Sequence, residues 1–108
     1  MEQHELRSRY PGIVKATIYM AFGNGGITHG PNHDRQEDTV LADLDTLLTA
    51  ETAKGDLHAI DNWLMSLSED TLNSLVNGTD AEMTAICAQA PNPGKAEALL
   101  EGIMERVI

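Results

Sequence analysis

The sequence predicts an all-α fold: a compact bundle of five or six short helices, forming one domain over residues 1–108, with a Gly-rich loop near the N-terminal third. Three observations carry this expectation. Apolar residues recur at helical spacing in successive segments from residue 34 onward. Ser, Thr, Asp or Asn precedes these segments, and Gly or Pro follows most of them, which are the signals that start and stop helices. Aromatic residues, which favour strands, are scarce: one Trp, two Tyr and one Phe. The core must come mainly from Leu, Ile, Val, Met and Ala, which suits helix packing.

The first apolar segment, residues 13–22, fits two patterns. As a strand, Val14, Ala16, Ile18, Met20 and Phe22 would share a face. As a helix, Val14, Ile18, Ala21 and Phe22 form a stripe, Pro11 suits the first turn and Gly23 the position after the end. The helix is preferred, because no second strand exists to satisfy the backbone of a first. Residues 23–33, with four glycines and a proline, are expected to be an ordered loop, and loops of this length in small domains are more often functional than incidental.

A long helix is expected from about Asp34 to Ala53, carrying Val40, Leu41, Leu44, Leu47 and Leu48, and ended by Lys54-Gly55. Asp56 can cap the next helix, in which Leu57, Ile60, Leu64 and Leu67 face inward with Trp63 nearby. Ser66 and Glu69 have capping-box spacing, with Ser68 as an alternative cap, for a short helix ending at Asn77-Gly78. Thr79 and Glu82 repeat the box before a helix with Met83, Ile86, Cys87 and Ala90, which Pro91 stops. Asn92-Pro93 opens the last helix, where Ala96, Leu99, Leu100, Ile103, Met104 and Val107 form a continuous stripe. No repeat, linker or low-complexity tract marks a domain boundary.

Charge is the most informative bulk property. Seventeen acidic residues stand against seven basic ones, a formal net charge of −10. The imbalance is uneven: Arg7, Arg9 and Lys15 fall in the first fifteen residues, and from residue 16 onward the chain alone carries −11. Such a surface repels nucleic acid and anionic membranes and attracts basic partners. The single cysteine, Cys87, excludes an intramolecular disulfide. The opening residues lack the apolar stretch of a signal peptide, so the expected location is cytoplasmic. No apolar run reaches transmembrane length; the longest, Ile13 to Phe22, contains Lys15.

The motifs give little chemistry. Gly23-x-Gly25 lacks the spacing of a dinucleotide fingerprint, and no P-loop Lys-Ser or Lys-Thr follows. His29, His33 and Asp34, with His58 and Asp61 one helical turn apart, are the only candidate metal ligands; the set is sparse, and the expectation is no metal and no cofactor. Cys87 lies on the apolar face of its helix between Ile86 and Ala88, where a cysteine acts as a small hydrophobe. No serine sits at a strand-to-helix elbow, and the paired carboxylates are all assigned to polar helix faces, so catalysis is not expected.

One acidic pattern stands out. Glu97, Glu101 and Glu105 recur every four residues along the last helix, and Asp38 and Asp45 border the apolar stripe of the Asp34 helix. Like charges at this spacing cost a helix a few tenths of a kcal/mol per pair. Rows of carboxylates can meet a basic groove or imitate phosphate spacing. The functional expectation is therefore a small non-catalytic regulator or inhibitor that binds a protein with a basic surface, such as a nucleic-acid-handling complex, by occlusion or charge mimicry. Size and charge also suit a phage-encoded antagonist of a host system. Glu97, Glu101, Glu105, Asp38, Asp45 and the loop residues Ile27, His29 and His33 are the candidate contact residues. The alternatives are a metal- or small-ligand-binding protein using the Gly/His loop, and an assembly protein that forms homo-oligomers through apolar helix faces. Direct binding of nucleic acid or membrane is not expected.

Overall fold

The computed structural model describes residues 3–22, 37–50 and 54–107, and all its regular structure is helical. Seven helices occur among the described residues: α1 (Gln3–Arg9), α2 (Pro11–Phe22), α3 (Glu37–Ala50), α4 (Lys54–Ser66), α5 (Glu69–Asn77), α6 (Asp80–Cys87) and α7 (Pro93–Arg106). The count exceeds the expected five or six because α1, which buries only Leu6, has too short an apolar stripe to read from sequence.

The central element is α2. It packs against α1, α3, α4 and α5, most extensively against α4, while α6 and α7 complete the globule by running from α5 back to α3. Nine of its twelve residues are buried. A helix buried on nearly every side has no polar stripe, so its apolar residues matched the strand pattern as readily as the helical one. The strand reading is excluded; Pro11 occupies the first helical position as expected.

Both ends of α2 are held by side chains from other helices. Pro11 has no N–H, but those of Gly12 and Ile13 lack intrahelical acceptors. The Asp61 carboxylate of α4 accepts from the second of these, with Ile13 N to Asp61 Oδ1 at 2.8 Å, and lies beside the first. At the other end Asn77 of α5 donates through Nδ2 to the Tyr19 carbonyl at 3.0 Å. A Cβ at residue 12 would run into the Asp61 carbonyl oxygen, so Gly12 is what lets α2 and α4 approach this closely. Thr17, buried in mid-helix, donates its hydroxyl to the Ile13 carbonyl at 2.8 Å.

Several boundaries differ from expectation. Lys54 and Gly55 do not end α3; they lie within α4, whose first turn also holds Asp56, so Asp56 is not the cap of that helix. Ser68, not Ser66, caps α5, accepting from Thr71 N, while the Ser66 hydroxyl donates to the Trp63 carbonyl at 2.6 Å. The Thr79–Glu82 capping box forms in full, with Thr79 Oγ1 accepting from Glu82 N at 3.1 Å and Glu82 Oε1 from Thr79 N at 3.1 Å. Helix α6 ends at Cys87, ahead of Pro91, and Asn92 caps α7. The expected loop, residues 23–33, lies outside the described residues.

Candidate functional site

Among the described residues, the predicted contact residues do not converge on one surface. Glu97, Glu101 and Glu105 lie along α7, but their surroundings differ. Glu97 is half-buried against α6, where the Thr84 hydroxyl donates to its Oε1 at 3.1 Å. Glu101 and Glu105 are exposed and line a groove of about 320 Å³ with Leu47 of α3, and Lys95 and Arg106 line it too. Along the chain no cation sits between these glutamates; in space two share their groove. Arg106 also borders a smaller groove with Asp43, Thr46 and Leu47, so the α3–α7 seam is mixed in charge.

Asp38 and Asp45 lie on α3, seven residues apart and hence on one flank of that helix. Asp43, Leu47 and Ala50 form the other flank, the one turned toward α7. Asp38 and Asp45 therefore lie on the flank of α3 away from the α7 glutamates. Ile27, His29, His33 and Asp34 fall outside the described residues.

Of the candidate metal ligands, His58 and Asp61 share a face of α4 but are differently engaged. The exposed His58 ring stacks on Tyr10, with centroids 4.8 Å apart and planes 22° apart. Asp61 is 2% exposed and directed at the start of α2. Burial pushes its pKa up from the usual aspartate value; the N–H groups of Ile13 and Gly12 and the nearby His58 pull the other way without cancelling that shift. The sequence offered Asp61 only as a candidate ligand one turn from His58, and its spacing from Leu57, Ile60 and Leu64 is the signal that would have put it inside. Among the described residues no group of three or more His, Cys, Asp or Glu is placed to hold a metal ion.

Cys87 is buried, and its thiol pKa is pushed up to about 11, first by burial and then by the fields of Glu97 and Glu101. A thiol held protonated in this way is a poor nucleophile. Burial likewise raises the Tyr19 hydroxyl, with a smaller contribution from Glu69 of α5.

The surface that sequence reasoning missed lies on α5 and α6. Asp70, Thr71 and Ser74 of α5 face Glu82, Ala85 and Ile86 of α6 across an open groove of about 370 Å³. Its lining holds two carboxylates, two hydroxyls and an apolar strip, and no cation. Each of these carboxylates reads from sequence as a first-turn or capping residue, and only the packing of the two helices brings them to one groove. The cations of the N-terminal part are engaged elsewhere: Arg7 Nη2 meets Glu37 Oε2 at 2.8 Å, Arg9 lies 3.9 Å from Glu5, and Lys15 Nζ is 5.8 Å from the Tyr19 ring centroid.

Compared with protein-family models, curated proteins and solved structures, the chain matches none of them. Among the described residues no helix is long and apolar enough to cross a membrane.

Proposed function

We propose that this protein is a non-catalytic binding module that engages a basic protein surface and acts by covering it. The observation that carries this reading is the charge distribution. No lysine or arginine occurs between Lys54 and Lys95, while Asp56, Asp61, Glu69, Asp70, Asp80 and Glu82 all fall there. Five of these six carboxylates lie outside the core, since Asp61 alone of them is buried. Arg7, Arg9 and Lys15, on α1 and α2, have partners of their own. Residues 55–94, which hold most of α4 and all of α5 and α6, are therefore acidic with no lysine or arginine among them, a distribution suited to steering a cationic partner.

The test begins with a partner cross-linked to the protein in its native host and identified by mass spectrometry. Its association is then followed by surface plasmon resonance over a range of salt. The on-rate is expected to fall steeply as the Debye length shrinks from about 10 Å at 0.1 M to about 3 Å at 1 M. Replacing Arg7 and Arg9 with Gln should not weaken the interaction. Replacing Glu97, Glu101 and Glu105 with Gln should weaken it modestly, because Lys95 and Arg106 already offset part of that row. An association rate indifferent to salt overturns the reading.

A further inference from the structure

We propose that the groove between α5 and α6 is where that partner docks, and that it takes an extended segment bearing two basic residues four apart with an apolar residue midway. The proposal rests on the reading of the protein as a binder of basic proteins, and goes beyond it in naming the seat and the chemistry of the occupant.

The shape of the groove sets the spacing. Glu82 stands at the turn between the helices, fixed there by the Thr79 capping box. Asp70 lies in the first turn of α5. From Asp70 to the Gly78 turn, α5 rises roughly 12 Å at 1.5 Å per residue, so the two carboxylates mark opposite ends of the groove. In an extended chain, residues four apart are separated by roughly 13 Å and project from the same face, with the residue midway between them on that face as well. Two cations at that interval meet Asp70 and Glu82 together. The middle side chain then falls on Ala85 and Ile86, and Ile86 is backed by the core and so offers a fixed apolar floor. Thr71 and Ser74 supply hydroxyls along the α5 wall.

Charge complementarity selects this occupant over others. An acidic segment is repelled at both ends. A purely polar basic segment leaves the apolar floor wet. The α3–α7 groove, which is comparable in volume, carries Lys95 and Arg106 beside its glutamates and so does not discriminate in favour of cations. The groove is also rigidly held: Ser68 caps α5, the box caps α6, and Asn77 pins the end of α5 to α2. A pre-formed groove binds without first having to be ordered.

The experiment titrates the full-length ¹⁵N-labelled protein with an acetylated, amidated pentapeptide of sequence lysine–serine–leucine–serine–lysine, read by amide chemical shifts. Saturable shifts are expected at Thr71, Ser74, Ala85 and Ile86. The double variant Asp70→Asn, Glu82→Gln should lower affinity about tenfold, the effect of losing two exposed ion pairs. Gln can keep the capping box, and a thermal melt verifies that the variant folds. The pair Glu101→Gln, Glu105→Gln should stay within about twofold of the parent. Replacing the peptide leucine with serine should weaken binding severalfold, and replacing both lysines with glutamate should abolish it. Shifts centred on α7, an unaffected Asp70/Glu82 variant, or equal binding of the leucine-free peptide each overturn the proposal. A native partner that is salt-sensitive but indifferent to the double variant removes the groove and leaves the proposed function standing. Peptide shifts at the groove with a salt-insensitive native partner do the reverse.

Discussion

Asp61 is a single carboxylate on which the central helix depends, and its replacement tests the account of the fold. Asp61→Ala strips the acceptor from the Ile13 N–H. A buried donor left unsatisfied costs about 1–3 kcal/mol, and a lost helix cap about 0.5–2 kcal/mol. The two figures describe the same lost interaction, and burial already weighs against the ionised carboxylate, so their overlap applies, about 1–2 kcal/mol. For a domain of this size that lowers Tm by roughly 5–15 °C. Asp61→Asn keeps an acceptor of the same shape without the charge, and should lie within about 1 kcal/mol of the parent at neutral pH. The two forms should diverge with pH. Because burial raises the Asp61 pKa, the folded state holds a proton that the unfolded chain has released. That contribution is complete below the unfolded aspartate value of 3.8 and is lost as pH rises through the higher folded value. The stability of the parent relative to the Asn variant should therefore fall as pH climbs from about 3.5, then level off. Urea unfolding of both proteins across that range isolates Asp61 from the other sixteen acidic residues. An Ala variant that melts within about 3 °C of the parent refutes the capping role. A parent that gains on the Asn variant as pH rises shows that the N–H groups and His58 outweigh burial.

Two further outcomes follow from the same packing. Gly12→Ala should destabilise by about 3 kcal/mol or more, since its Cβ meets the backbone of α4. Gly102→Ala, also within a helix but with nothing within 4 Å of the added Cβ, should stabilise by about 0.5–1 kcal/mol. Thermal melts of the pair check both, and equal effects would contradict the packing at residue 12. At pH 8 the folded protein should leave Cys87 unmodified by Ellman's reagent over an hour, with full reaction in guanidinium chloride, since the thiol is buried and its pKa is about 11. Rapid stoichiometric modification of the native protein would contradict that environment.

Elements with local signals were legible in the sequence. The Thr79–Glu82 box, the Asn92-Pro93 start and the Asn77-Gly78 end appear in the structure because each is decided within four residues of chain. Long-range decisions were not legible. Whether Lys54-Gly55 ends one helix or begins the next is a tertiary matter, and here α4 takes both. Asp61 read as one more helical carboxylate because nothing along the chain shows that it meets Ile13, forty-eight positions away. The α7 glutamates read as an uninterrupted acidic row because a helix viewed alone does not show the basic residues sharing its groove. The acidic α5–α6 groove was invisible for a related reason: Asp70 and Glu82 each have a sufficient local explanation.

That local explanation has a limit, and the limit bears on the proposed binding function. Acidic residues in the first turn complement the helix dipole by about 0.3–1 kcal/mol, and Glu37, Asp38, Asp56, Glu69, Asp70, Asp80 and Glu82 all occupy such positions. The same physics rewards lysine or arginine in the last turn. Yet α3, α4, α5 and α6 have no basic residue there, while α1 and α7 do. If helix stability alone had set the charges, both ends of these helices would be decorated, and the net charge would lie nearer zero. Solubility asks only for a net charge of modest magnitude with both signs interspersed. The four middle helices instead accept the favourable carboxylates and omit the equally favourable cations. That one-sided omission leaves residues 55–94 without a lysine or arginine, as the proposed engagement of a cationic partner requires.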